Sequence, residues 1–342
     1  MDSLTQIALG SAVAALIAPA RHRRAALIAG GVLGTLPDLD VIPLSIFGAD
    51  AVSFVTWHRG PSHSLLVLAM FGWLLWLVLR RWWAPVKEAP ARWLWAMQLA
   101  LLTHPLLDAF TVYGTQLFWP LPGSPVMVAS IFIIDPVYTV PLLVACAAAW
   151  WLRERRAANW WLLGGVLLST AYLGWSLAAK TVVERAAGHT LAAQGLPDAP
   201  RFSVPMPFNT LLWRVVVMTP GGFLEGERSL MADRGPMIFR SHPSDRVALE
   251  AVAGYPAVKR LNWFTHGFLK AERRDDRLVL SDLRMGLEPE YIFRYVVAEG
   301  DGQGGWREIA VQQLGWPSQD RFRLADIWRR IWKEPNRERP EI

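Results

Sequence analysis

The chain predicts an all-α polytopic membrane helix bundle of about six spans, followed by a mixed α/β extracytoplasmic domain. Three observations predict it. Hydrophobic residues make up 53% of the 342 and charged residues 19%, with a mean hydropathy of +0.23, a balance too apolar for an ordinary soluble chain. Apolar stretches occupy residues 4–19, 25–36, 64–79, 93–107, 126–152 and 159–179. After residue 180 charges become frequent, and Pro and Gly punctuate short β-like runs.

The boundaries follow. Residues 1–180 form the transmembrane domain, 181–199 a linker or helix extension, and 200–342 the α/β domain. The first stretch opens on Met1-Asp2-Ser3 without a basic start, so a cleaved signal peptide is not expected. Several stretches fall short of the ~20 residues that a clean span requires, but short helices cross when they pack in a bundle or thin the bilayer. Arg21, Arg23 and Arg24, then Arg80, Arg81, Lys87 and Arg92, then Arg153, Arg155 and Arg156 occupy alternate loops. The positive-inside rule puts those loops in the cytoplasm and everything after residue 180 outside, in a multi-pass protein. Trp82, Trp83, Trp93, Trp150, Trp151, Trp160 and Trp161 sit at the cytoplasmic ends, as an interfacial belt would.

In the outer domain Arg214–Met218, a Thr219-Pro-Gly-Gly222 turn and Phe223 onward read as a hairpin. Arg277–Leu280 and Tyr291–Val297 read as further strands, and 324–332 as a last amphipathic helix. Residues 261–268 and 281–286 are lid candidates, with Arg284 facing an anionic head group or else with Trp263 and Phe264 in a core. The lone cysteine, Cys146, excludes a disulfide scaffold. The net charge of +6 divides into 12 basic and 8 acidic residues up to residue 180 and 23 and 21 beyond it. Neither half is polybasic, so no nucleic-acid partner is expected.

Function is written at one membrane face. Asp2, Asp38, Asp40, Asp50, Asp108 and Asp135 all fall on the predicted outer side, as do His58, His63 and His104. Ionisable groups at membrane depth are costly and mark sites. His104-Pro-Leu-Leu-Asp108 places imidazole and carboxylate on one helix face, suited to one metal ion or to a histidine oriented by its carboxylate. In Trp57-His-Arg-Gly-Pro-Ser-His63-Ser64, a Gly-Pro turn can aim His58 and His63 at one point, with Arg59 suited to a substrate phosphate or carboxylate, or the segment is a polar interfacial loop capped by Ser62. In Pro37-Asp-Leu-Asp40, both carboxylates reach a metal, or one ligates while the other steadies a histidine, or the pair is a solvated turn after the helix. Asp2 and Asp135 cap the first and fifth spans or join the site, with Gln6 beside Asp2.

These segments, with Asp2-Ser-Leu-Thr-Gln6 and the Thr111, Tyr113, Gly114, Thr115 and Gln116 that follow Asp108, resemble the YdjM-like predicted membrane-bound metal-dependent hydrolases. The resemblance covers residues 1 to about 180 and implies a bacterial inner-membrane location and metal-dependent hydrolysis. The outer domain looks like the extension of a longer subset. A more distant similarity joins Asp38 or Asp40, His58 or His63, and His104 with Asp108 to zinc phospholipase C and related nucleases. Their N-terminal Trp ligand is absent here, which points to one or two ions rather than three.

The expected metal ligands are Asp38, His58, His63, His104 and Asp108, holding Zn2+, with Mn2+ or Fe2+ as alternatives. Asp40 or Asp135 is the expected general base, with Arg59 on the substrate. The expected partner is a lipid or lipid-linked substrate whose phosphoester, or another bond, is hydrolysed at the outer face. An ion-coupled transporter would use the same residues but calls for ionisable groups on both sides or two related halves. A non-enzymatic envelope scaffold would explain the outer domain and leave the His/Asp clustering without a cause.

Overall fold

The computed structural model describes residues 1–315 and 324–335. They fall into two compact units: Met1–Gly48 with Trp57–Ser176, and Ala49–Thr56 with Leu177 onward.

The first unit is helical. Its helices are α1 (Ser3–Ile17), α2 (Arg23–Thr35) and α3 (Val41–Ile46), then, beyond α4 (Ala51–Trp57), α5 (Leu65–Trp82), α6 (Ala84–Glu88), α7 (Pro90–Asp108), α8 (Pro136–Leu152) and the start of α9 (Arg156–Ala193). Local chemistry sets the starts. The Asp2 carboxylate accepts from Thr5 N at 3.0 Å ahead of α1, and Ser64 Oγ accepts from Val67 N at 3.3 Å ahead of α5. Asp135 accepts from Val137 N at 3.0 Å, with Pro136 in the first helical position of α8.

Each apolar stretch contains a helix, but the count of six spans is not supported. Among the described residues three helical segments are long and apolar enough to cross: Ala20–Ile46, Leu65–Trp82 and Arg156–Ala193. The physical reason is length and polarity. At 1.5 Å per residue, the 15 residues of α1 and the 17 of α8 reach only about 22 and 26 Å, against a hydrocarbon core of about 30 Å. The 126–152 stretch is shortened because Asp135 divides it; Val128 N and Ser130 N instead donate to the carbonyls of Ala109 and Phe110, each at 2.8 Å. Helix α7 carries Gln98, His104 and Asp108 and lies inside, packed against α1, α2 and α5, with Trp93, Met97 and Leu101 buried. By contrast α5 exposes Leu66, Met70, Phe71, Trp73 and Val78, a surface suited to lipid.

Helices α1 and α2 approach closely through glycine. A Cβ added to Gly30 would lie 2.3 Å from Gly10 O, and one on Gly34 would lie 2.5 Å from Gln6 O. Small residues let backbones touch where hydrophobic force between helices is weak. This contact sets Gln6 and the Gly34 carbonyl beside α7. At the opposite end the basic loops meet. Arg21 and His22 each lie 2.7 Å from Glu88, Arg92 Nε donates to Ile17 O at 2.7 Å, and Arg23 bonds to Arg153 O and to Asn159.

The second unit is sheet-rich. Strands β1 (Arg201–Pro205), β2 (Leu212–Thr219), β3 (Gly222–Ser229) and β4 (Phe239–Pro243) form one antiparallel sheet in that order. After α10 (Arg246–Ala251) and α11 (Pro256–Phe264) come β5 (Leu269–Arg274), β6 (Arg277–Asp282), β7 (Gly286–Leu287), β8 (Glu290–Tyr291), β9 (Arg294–Gly300) and β10 (Trp306–Gln313). The second antiparallel sheet runs β10-β9-β6-β5, and β7 pairs with β8. The expected hairpin forms with Thr219 opposite Gly222, and the amphipathic helix α12 spans Leu324–Trp332. Residues 181–193 continue α9, whose Ala179, Val183, Ala187 and Leu191 bury Trp213, Val215 and Val217 of β2.

The two lid candidates are core elements. Leu261, Phe264, Phe268 and Leu283 are buried. Arg284 is fully buried, with Nη2 2.7 Å from Asp282 Oδ2 and Nη1 2.9 Å from Phe264 O. Its guanidinium is spent inside the domain and cannot meet a head group.

Candidate metal centre

Three segments bring four donors to one point. Asp38 lies in a 3-10 turn, Leu36–Asp40, that prolongs α2. His63 ends a second turn, Pro61–His63, just ahead of α5. His104 and Asp108 lie one turn apart near the end of α7.

His63 Nε2 is 3.1 Å from His104 Nε2, 3.3 Å from Asp38 Oδ1 and 3.3 Å from Asp108 Oδ2. His104 Nε2 is 3.4 Å from Asp38 Oδ1 and 3.6 Å from Asp108 Oδ2. All four donor atoms lie within 4.8 Å of one another. A tetrahedral ion with bonds of about 2.0–2.2 Å sets its donors about 3.3–3.6 Å apart, so the spacing fits a small divalent metal.

Two further observations test the fit. His104 Nδ1 lies 2.5 Å from Gly34 O; a carbonyl only accepts, so Nδ1 carries the proton and Nε2 turns a lone pair into the group. Asp108 Oδ2 is fully buried and accepts no hydrogen bond of good geometry; its charge faces Arg59 Nε at 3.0 Å and His63 Nε2 at 3.3 Å. The other carboxylate oxygen, Oδ1, takes Gln6 Nε2 at 3.0 Å and the Met1 amino group. Lone pairs and anionic oxygens therefore converge, and a cation is what such a set stabilises.

The other predicted site residues stand around the four-donor group without belonging to it. His58 is outside the four-atom group: its Nδ1 is 2.7 Å from Asp40 Oδ1, its ring centroid is 5.9 Å from that of His63, and its edge meets Tyr113. Asp40 faces its own loop, where Oδ2 accepts from Ser62 Oγ at 2.5 Å and from Arg59 N at 3.2 Å. Arg59 is buried, with Nε 3.0 Å from Asp108 Oδ2, Nη1 donating to Thr111 Oγ1 at 2.9 Å, and the guanidinium over the Tyr113 ring. It balances a buried carboxylate. A φ of +63° at Arg59, rare for a residue with a side chain, turns its amide to Asp40 while its side chain reaches Asp108. Asp135 caps α8 and accepts from Tyr172 Oη at 2.9 Å.

Sequence reasoning paired Gln6 with Asp2; the structure bonds it to Asp108 Oδ1 and to His104 O instead. An amide inside an apolar helix was the available signal. The Gly34 carbonyl left none, because a backbone group has no residue code. Beside Asp38, whose side chain is 18% exposed, Leu39, Ile42, Ile46 and Phe47 form an exposed apolar rim, Phe47 at 85%.

The family model described as YdjM inner membrane protein matches residues 1–183. The chain is similar to the inner membrane protein YbcI of Escherichia coli (strain K12), at 37% identity over 99 residues. That alignment covers 29% of the chain and 54% of YbcI, so the chain spans about half the length of this curated relative. No solved structure matches the chain.

Proposed function

The chain belongs to the YdjM inner membrane protein family, and from that premise we propose a membrane-embedded, metal-dependent hydrolase acting on a phosphoester, or another hydrolysable bond, of a lipid or lipid-linked substrate. One observation carries the reading: four donors within 4.8 Å of one another, two imidazole nitrogens and two carboxylate oxygens, grouped in an apolar helical unit. When bound, Zn2+, or Mn2+ or Fe2+ in its place, supplies Lewis acidity toward a phosphoryl or carbonyl oxygen.

The chain's own residues do the rest. His63, His104, Asp38 and Asp108 would hold the ion. Arg59 offsets the Asp108 charge and so keeps the two carboxylates, Asp108 buried and Asp38 partly exposed, compatible with one site. Asp38 is the least buried of the four and marks the side from which a substrate arrives. There the rim of Leu39, Ile42, Ile46 and Phe47 gives acyl chains an apolar surface while a head group reaches the donors. Asp40 and Asp135, held by their own neighbours, orient the site loop and cap α8.

The test is hydrolysis of phospholipids and lipid-linked phosphates by the purified full-length protein in mixed micelles. Release of the head group is expected from the wild type and is expected to fall at least a hundredfold, on the order of 3 kcal/mol, in the chelated protein. Turnover that persists unchanged in the His104→Ala variant would place the chemistry elsewhere.

The proposal includes a multi-pass topology with the site and the C-terminal domain in the periplasm. Support comes from the three basic loops, which meet at the end of the helical unit away from Asp38 and His63. Reporter fusions after Arg24, Arg92 and Arg156 are expected to read cytoplasmic, and a fusion at Ile342 periplasmic. A cytoplasmic C-terminus overturns it.

A further inference from the structure

Asp40 is the hub of the loop that carries His63. Its Oδ1 is engaged by His58 Nδ1 at 2.7 Å, and its Oδ2 by Ser62 Oγ at 2.5 Å and Arg59 N at 3.2 Å. Ser62 Oγ in turn lies 2.9 Å from His63 Nδ1. The direction of these bonds is fixed by proton counting. A hydroxyl has one proton, and an ionised carboxylate only accepts, so Ser62 gives its proton to Asp40. Its lone pair is then left to accept from His63 Nδ1–H. Asp40 Oδ2 is 3.8 Å from His63 Nδ1, too far for a direct hydrogen bond. Ser62 is the bridge.

With the proton on Nδ1, His63 presents a lone pair at Nε2, the atom 3.3 Å from both Asp38 Oδ1 and Asp108 Oδ2. The opposite tautomer would point an N–H at the centre of the donor set and exclude a cation. His63 is fully buried, so this contact governs how its ring is turned.

We propose that Ser62, backed by Asp40, is a positioning residue that holds His63 in its metal-binding tautomer and so sets the affinity of the site without touching the ion. The proposal rests on the metal reading above and assigns Asp40 an orienting role. Outer partners of a ligating imidazole contribute on the order of 10–100-fold in metal affinity.

The test is a Co2+ titration of the full-length protein in detergent, read by the visible absorption of tetrahedral Co2+. Wild type is expected to bind one Co2+ per chain. Ser62→Ala is expected to bind it about 10–100-fold more weakly, and Ser62→Thr, which keeps the hydroxyl, to restore affinity to within about threefold. If both residues act through one hydrogen-bond chain, the double variant Ser62→Ala/Asp40→Ala binds no more weakly than Asp40→Ala alone. Equal affinity in wild type and Ser62→Ala overturns the proposal, and so do losses that multiply in the double variant. A wild type that takes up no Co2+ overturns the metal reading itself, a result distinct from wild type and Ser62→Ala binding alike.

Discussion

Alanine at His104 or His63 is expected to bring bound metal from about one ion per chain to background. Each imidazole supplies one of four donors, and each is held from behind by a specific acceptor, Gly34 O for His104 and Ser62 Oγ for His63. Loss of either leaves at most three donors in a buried group and opens the tetrahedron. The revealing comparison is His58→Ala. Its ring stands on Asp40 outside the donor set, so this variant is expected to keep its metal, although the sequence alone ranks His58 with the ligands. Metal content measured by mass spectrometry on protein purified without added ion decides the matter. Retention in both His63→Ala and His104→Ala would make the cluster structural.

Replacing Arg59 with alanine is expected to destabilise the helical unit by about 3–5 kcal/mol, the cost of leaving a buried ion pair half-removed. Arg59 is 3% exposed and Asp108 is 0% exposed, so water cannot take over. The variant also loses the Thr111 bond and the packing on Tyr113. A divalent ion beside Asp108 would restore part of the lost positive charge, so the destabilisation should be larger in chelator than with metal present. Equilibrium unfolding in mixed micelles, with and without Zn2+, measures both. A change below about 1 kcal/mol is what a solvent-exposed ion pair costs and would remove Arg59 from its assigned role.

Much of this was legible in one dimension. The apolar stretches located the helices, because burial in lipid or in a bundle demands long apolar runs. The change in composition near residue 180 located the sheet-rich part, and Thr219-Pro-Gly-Gly222 announced its hairpin. His104 and Asp108 could be paired from spacing alone, because an α-helix returns to the same face after four residues. The number of spans was not legible, since α1, α7 and α8 are apolar for packing inside the unit as much as for contact with lipid.

Sequence by itself determined the residue types at the site, the helical half and the family, all properties of composition and local period. Tertiary structure decided which histidine joined the donors. His58 and His63 lie on one loop with the same chemistry but in different places: His58 Nδ1 lies 2.7 Å from Asp40, while His63 is fully buried, with Nδ1 2.9 Å from Ser62 Oγ and Nε2 facing Asp38, His104 and Asp108. It likewise decided that Arg59 balances Asp108 and that the Gly34 carbonyl orients His104. Those outcomes depend on distances between segments far apart in the chain, and distance has no representation in a linear string of residues.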